Sequence, residues 1–322
     1  MRGKAISALP QASFGEGQAR AKFILIGEHA AVYGKPAIAV PLLSLSLWAQ
    51  ASHNSGELYL SSDIYQGPLA TAPQKLDATA AAILATLRFL ELPERGITVS
   101  IDSAIPPERG LGSSAATANA IVHAISDLFD ITISPEDHYE IVQTAERVAH
   151  GKPSGLDARA TNSWNPIWFQ NGQASDLELR LSGTFIIADT GIHGRTRQAV
   201  ADVREFRNRY PERGEYLINR IEELTHLVAE DLVKDRPNEL GLRMNETQQI
   251  LNELTVSNDT IDRLVATANA HGALGAKLTG GGQGGCVVVL APDIVEASAI
   301  SDQLIAAGAK QTWLFEARAH SL

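Results

Sequence analysis

Cysteine is almost missing from this chain: of 322 residues only Cys286 carries a thiol. No internal disulfide can form and no cysteine-based zinc site can be built. Basic charge is also short. Lys and Arg number 27 against 37 Asp and Glu, a formal net charge of −10. That balance excludes the broad positive surface needed for non-specific binding to nucleic acid or an anionic membrane. No apolar run approaches a membrane span, and the first 22 residues hold no apolar core of the kind a secretory signal carries. The Walker pattern G-x-x-x-x-G-K-[ST] is absent. Lys35 and Lys152 each follow a glycine, but neither has the earlier glycine or the following Ser/Thr. No internal repeat and no low-complexity tract occurs. With 44% hydrophobic and 20% charged residues, the expectation is a cytosolic enzyme of two domains, in which any positive field is local.

What is present centres on residues 106–119, PPERGLGSSAATAN. The alternating run at 97–101 predicts a strand leading towards it, and AATANAIVHAISDLF predicts a helix leading away. Two glycines and two serines fall where the helix starts. Such a junction offers free N–H groups, the positive end of a helix dipole, and glycines that let an anion approach. A phosphate-binding loop is expected. Gly110-Leu-Gly112-Ser-Ser-Ala115 also fits the dinucleotide pattern G-x-G-x-x-A, with Asp130 about 20 residues on. That pattern wants its acid at the end of a strand, whereas Asp130 ends a helix, so the dinucleotide reading is the weaker one. An ordinary tight turn with Ser113 or Ser114 as N-cap is the other alternative.

Along the chain, the first twenty residues predict a turn or strand. Residues 23–26 predict a short buried strand, with Lys22 before it and Glu28 and His29 just after it. Three polar groups thus sit at the two ends of one buried element. Residues 42–60 predict further strands, with Asn54-Ser55-Gly56 as a hairpin turn. Residues 74–90 read as a helix. Ser134-Pro135-Glu136-Asp137 is a strong helix start, and Ile141, Val142, Ala145, Val148 and Ala149 form the expected buried stripe, with Glu146 at its edge. Pro153 and Gly155 constrain a turn that ends in Asp157, a candidate base. Residues 184–188 predict a strand, and the domain boundary is placed there, giving domains 1–185 and 186–322. Helices broken at Pro211 and Pro237 follow. Last come a strand, the run Gly280-Gly-Gly-Gln283-Gly-Gly285, a strand, a helix and a strand. Five glycines in six positions point to close backbone approach of a ligand.

KFILIGEHAAVYGKPAIAV (22–40), PPERGLGSSAATANA (106–120) and KLTGGGQGGCVVV (277–289) stand in an order that resembles the superfamily of galactokinase, homoserine kinase, mevalonate kinase and phosphomevalonate kinase. ERVAHGKPSGLDA (146–158) and ADTGIHGRTRQAV (188–200) narrow the resemblance to the mevalonate kinase family. The resemblance implies an α+β, two-domain fold. An N-terminal α/β domain carries the ATP loop, the C-terminal domain is ferredoxin-like, and the site lies in the cleft between them. It implies transfer of the γ-phosphate of ATP to the 5-hydroxyl of (R)-mevalonate, with Mg²⁺ as cofactor, and it leaves room for a homodimer.

By the same resemblance, the backbone of Gly110, Leu111, Gly112 and Ser113 holds the ATP phosphates. Ser114 and Glu146 match the Mg²⁺ ligands. Asp157 matches the aspartate beside the substrate hydroxyl, and Lys22 the lysine that contacts it. Glu28, His29 and Thr196 match substrate-side residues, and Gly280 and Gly281 belong to the run that closes over substrate. The chemistry agrees. Phosphoryl transfer needs positioning and charge neutralisation, a hydroxyl nucleophile needs a proton acceptor, and a lysine keeps that acceptor ionised. Having both Lys22 and Asp157 favours the 5-hydroxyl over another mevalonate hydroxyl.

The third motif usually reads G-A-G-G-G-G, so Gly281 lacks a methyl group and Gln283 adds a side chain. Arg195 and Arg197 are candidates, by charge and place, to pair with a substrate carboxylate. The alternatives are another small-molecule kinase of this superfamily and a non-catalytic ATP-binding protein on the same scaffold. The intact set Lys22, Ser114, Glu146 and Asp157 argues against the second.

Overall fold

The computed structural model describes residues 13–317; residues 1–12 of the expected initial turn or strand lie outside the described part. The chain opens with strands β1 (Phe14–Ile26), β2 (Ala37–Glu57), β3 (Tyr59–Ser62) and β4 (Tyr65–Pro68). Helix α1 (Asp77–Phe89), strand β5 (Arg95–Ser103), and helices α2 (Ser113–Leu128), α3 (Pro135–His150) and α4 (Leu156–Ala160) follow. Then come β6 (Ile167–Gln170), β7 (Gln173–Asp176) and β8 (Thr184–Asp189). Four helices succeed them: α5 (Thr196–Arg209), α6 (Pro211–Val233), α7 (Pro237–Glu253) and α8 (Asp259–Ala270). The last elements are β9 (Gly275–Thr279), β10 (Cys286–Ala291), α9 (Ile294–Ala306) and β11 (Gln311–Glu316).

Two compact units are interleaved in sequence. One takes the chain up to Ala19, Ser46–Ala104 and Ser114–Pro153; the other takes Arg20–Leu45, Ile105–Ser113 and the described chain from Ser154 on. The expected division at 185/186 follows chain order, whereas these units divide β1 and β2 part-way along.

In the first unit β2 runs antiparallel to β5, and β3 pairs parallel to β5 and antiparallel to β4. The period-2 alternation decides the faces. Leu47, Ala49 and Ala51 of β2, Leu60 of β3, and Ile97 and Val99 of β5 are buried, while Trp48 is exposed. Helix α2 comes close because both surfaces are small. A Cβ on Gly17 of β1 would lie 2.6 Å from Ala124 N and 2.8 Å from His123 Cβ.

Two expectations are corrected here. Asn54-Ser55-Gly56 is no hairpin turn: β2 continues through it to Glu57, with an irregularity between His53 and Glu57. The Asn54 side chain closes a local loop, accepting from Gly56 N at 2.8 Å and donating to Glu57 O at 3.1 Å, so the extra residues bulge within one strand. The tight hairpin joins β3 to β4, where Ser62 pairs Tyr65. In α3, Ser134 caps the start and Pro135 holds the first turn as expected. Val148, however, is 48% exposed, and the buried stripe takes Glu146 at 2% instead.

The second unit contains an antiparallel sheet in the order β11-β8-β10-β9. Numbered along the unit, that order is 4-1-3-2, with α5 to α8 between the first two strands and α9 between the last two. This is the ferredoxin-like connectivity that the family resemblance implies. TFIIAD of β8 and CVVVLA of β10 are buried along their whole length, which is why neither shows polar alternation. Phe23 of β1 packs on Phe185 of β8 at 5.3 Å between ring centroids. Pro211 and Pro237 each stand in the first turn of a helix, α6 and α7, where a missing N–H costs nothing.

Candidate active site

Lys22 lies in the second half of β1 and is 1% exposed. A buried ammonium is tolerated only with partners, and it has two. Its Nζ lies 3.1 Å from Asp157 Oδ1 and donates to Gly110 O at 2.9 Å. Its backbone N–H donates to Leu111 O at 3.0 Å. Gly112 makes room for the lysine stem: a Cβ there would stand 3.2 Å from Lys22 Cε and 2.7 Å from Thr161 Cγ2. Gly110 and Gly112 both have φ of +76°, a conformation that favours glycine. Asp157 sits in the first turn of α4, entered through Gly155 in the left-handed region. A third of its side chain stays accessible. One carboxylate therefore faces both a buried cation and the outside of the loop.

The two glycine loops touch backbone to backbone. A Cβ on Gly110 would lie 3.1 Å from Thr279 O and 3.5 Å from Gly280 Cα. Thr279 Oγ1 in turn accepts from Ile24 N at 2.8 Å and donates to Ile24 O at 3.0 Å, fixing the end of β9 to β1. Arg109 and Asp189 add a second tie. Arg109 Nε lies 2.9 Å from Asp189 Oδ1, and both side chains are buried. Thr190 donates to Gly285 O through its N–H at 3.0 Å and its hydroxyl at 2.7 Å.

Glu28 and His29 follow Gly27 at the end of β1. Glu28 forms an ion pair with Lys277 of β9, and neither side chain is exposed at all. Lys277 also donates to Leu278 O at 2.7 Å. Burial pushes the Glu28 carboxyl up, and Lys277 opposes that shift. The His29 ring is pushed down to about 4 by burial, so the neutral imidazole donates from Nε2 to Gly281 O across 2.9 Å. Glu28 Oε2 and His29 Nδ1 are buried without a hydrogen-bond partner among the described residues. Thr196 opens α5, and its Cα lies 2.7 Å from where a Cβ on Gly281 would sit, with its hydroxyl closer still. The missing methyl at 281 is therefore a steric necessity set by Thr196.

Lys22, Asp157, Gly110, Leu111 and Gly112 thus form one cluster in the second unit, joined through Gly280 to a second made of His29, Gly281 and Thr196. Ser113 is the first residue of α2. Arg195 occupies the N-cap position of α5 with its side chain exposed, and His193 of the same loop pairs with Glu108 at 2.7 Å. Sequence reasoning missed Lys277, Arg109 and Asp189. A lone lysine in a buried strand at the head of the third motif, and an acid just after β1, were the available signals for the first.

Ser114 and Glu146 lie in the first unit. Ser114 Oγ is buried and has no hydrogen-bond partner among the described residues; Glu146 is buried in α3, with His150 Nε2 at 4.0 Å. Among the described residues no three His, Cys, Asp or Glu gather to hold a metal. One hydroxyl and one carboxylate suit Mg²⁺, which takes the rest of its shell from water and phosphate oxygens.

Among the described residues no helix is long and apolar enough to cross a membrane. Residues 77–162 match the family described as GHMP kinases N terminal domain, and residues 228–310 match GHMP kinases C terminal. Mevalonate kinase from Thermococcus sibiricus is 33% identical over 296 residues, covering 85% of this chain and 88% of its own. The structure of L. major mevalonate kinase in complex with R-mevalonate superimposes with a TM-score of 0.85 at 26% identity, covering 98% of this chain and 99% of that one. Mevalonate kinase from methicillin-resistant Staphylococcus aureus superimposes with a TM-score of 0.72 at 31% identity, covering 96% and 100%. Carrying both GHMP kinase signatures and this likeness along most of its length, the chain belongs to the mevalonate kinase family of the GHMP kinases.

Proposed function

We propose that this protein transfers the γ-phosphate of ATP to the 5-hydroxyl of (R)-mevalonate. The observation that carries the reading is the Lys22–Asp157 pair, 3.1 Å apart and anchored on the carbonyl of Gly110. In this reading Asp157 accepts or orients the hydroxyl proton, and Lys22 keeps the aspartate ionised and offsets charge on the transferring group. The backbone from Gly110 to Ser113 holds phosphates at the start of α2. Ser114 and Glu146 hold Mg²⁺, which when bound neutralises charge on the phosphate oxygens. His29, Thr196, Gly280 and Gly281 line the substrate side. Glu28 joins them through Oε2, since Lys277 occupies its other oxygen. Arg195 takes the carboxylate of mevalonate. The proposed division of labour keeps ATP loop and metal ligands in 1–185 and the glycine-rich run in 186–322, in a cytoplasmic enzyme whose assembly is monomeric or homodimeric.

The test is Mg²⁺-ATP consumption with mevalonate, phosphomevalonate, galactose and homoserine, with phosphorus NMR on the product. A 5-phosphomevalonate signal is expected, with Arg195→Ala raising KM for mevalonate and leaving KM for ATP. Turnover of another alcohol in place of mevalonate retires the substrate and keeps the fold.

A further inference from the structure

Gln283 stands where a glycine is expected. Its φ is +56°, a left-handed conformation that disfavours any side chain and that glycine adopts freely. Residues on both sides are glycines for a steric reason. A Cβ on Gly282 would run into Val256 O, and one on Gly284 would lie 2.5 Å from His193 O. The glutamine therefore occupies the one place in this stretch that has room for a side chain, at a conformational cost that something must offset.

The compensation is a hydrogen bond to a charged group. Gln283 Nε2 donates to Asp202 Oδ2 at 2.6 Å, and its backbone N–H donates to Val256 O at 2.7 Å. The other oxygen of Asp202 accepts from Gln198 Nε2 at 2.7 Å. Both Gln198 and Asp202 belong to α5, the helix that Thr196 opens. Two residues before Gln283, Gly281 sits against Thr196 and receives the His29 Nε2–H on its carbonyl. The amide of Gln283 thus reaches from the glycine-rich turn to the helix that carries one wall of the substrate side.

We propose that Gln283 is a positioning residue: through Asp202 it fastens the turn 280–285 to α5, so that Gly281 is held between Thr196 and His29 before the alcohol substrate arrives. The proposal names a specificity element of the alcohol pocket and, for its kinetic part, rests on the mevalonate reading above. A glycine at 283 would remove the side-chain tie from the turn to α5 and leave only the backbone hydrogen bonds around it. The ordering would then be charged against binding of the alcohol, with little consequence for a nucleotide held at the start of α2.

The experiment is a charge exchange. Gln283→Glu sets a carboxylate against Asp202. In Gln283→Glu/Asp202→Asn the introduced amide donates to the introduced carboxylate, and its oxygen still accepts from Gln198. Amide hydrogen exchange across 280–285 in the substrate-free protein is read beside KM for mevalonate and for ATP. Expected is faster exchange in Gln283→Glu, a KM for mevalonate raised about ten-fold, as loss of a hydrogen bond to a charged group implies, and a KM for ATP changed less than about two-fold. The double variant is expected to restore both readouts. Gln283→Gly, which suits the backbone, is expected to behave like the single variant if that one folds poorly. Unchanged exchange in the single variants, no restoration in the double variant, or equal rises in both KM values would overturn the proposal. If mevalonate is not turned over at all, the substrate reading fails, and the exchange data still decide whether Gln283 fastens the turn.

Discussion

Asp157 shares its charge with Lys22 across 3.1 Å, and the same ammonium donates to the carbonyl of Gly110. One buried cation thereby fixes both the Asp157 carboxylate and the loop at Gly110. Asp157→Asn keeps the shape and removes the carboxylate proposed to accept or orient the hydroxyl proton. The expected kcat loss is about 10²- to 10⁴-fold, with KM for ATP nearly unchanged. An unaltered kcat would take Asp157 out of the chemistry.

The pair Glu28–Lys277 is fully enclosed. Lys277→Met strands a carboxylate without its counter-ion, and a loss of about 3–5 kcal/mol is expected in urea denaturation. Adding Glu28→Gln removes the stranded charge and should recover part of that loss. Additive losses in the double variant would mean that the two groups do not act as a pair.

His29 sets a pH dependence of stability. Its folded pKa is about 4 against an ordinary 6.5, so the unfolded chain binds this proton first. Stability from the neutral ring is fully present above about pH 6.5 and declines as pH falls towards 4. Between pH 7 and 5 the expected decline from this group is about 2 kcal/mol. His29→Gln, which keeps a donor for Gly281 O, should flatten that part of the curve. Parallel curves for the two proteins would assign the pH dependence to other groups.

Gly281→Ala installs the methyl group common in the family. It meets Thr196 Cα as well as the hydroxyl, so α5 has to shift. The expected cost is about 1–3 kcal/mol, seen as a lower Tm. Thr196→Ala does not relieve it, because Cα and Cβ remain in place. Full relief by that second change would show that the hydroxyl alone sets the limit.

Ser114→Ala tests the proposed metal ligand apart from stability. Since Ser114 Oγ has no hydrogen-bond partner among the described residues, its removal leaves none of their polar groups unsatisfied. Thermal stability should stay within about 0.5 kcal/mol, while the Mg²⁺ concentration for half-maximal activity rises. An unchanged metal requirement would remove Ser114 from the ligand set.

Local chemistry was the legible part of this chain. Ser134 and Pro135 announce α3 because capping is written within four residues. The glycine runs suggest close backbone approach to a ligand; what they show in the fold is backbone meeting backbone, Gly110 against Thr279 and Gly280. The hairpin at Asn54 was misread because an Asx loop uses the same residues whether the chain turns back or only bulges. Glu146 in place of Val148 on the buried face of α3 goes against polarity, and the burial of a carboxylate is not visible in apolar periodicity. Lys277 escaped notice because its partner is 249 residues away, and no local pattern encodes a pairing at that range.

The hydroxyl of Thr279, which bridges both backbone groups of Ile24 across a separation of 255 residues, has a consequence for synthesis. Chains grow at about 5–20 residues per second, so β1 leaves the ribosome well before the strand that completes its surroundings. A nascent chain that stops short of β9 has its lysine, glutamate and histidine in place but no Lys277, Thr279 or Gly281 to meet them. Non-local closure of this kind is slow. The cluster around β1 therefore closes only after β9 and the glycine-rich turn that follows it have been made.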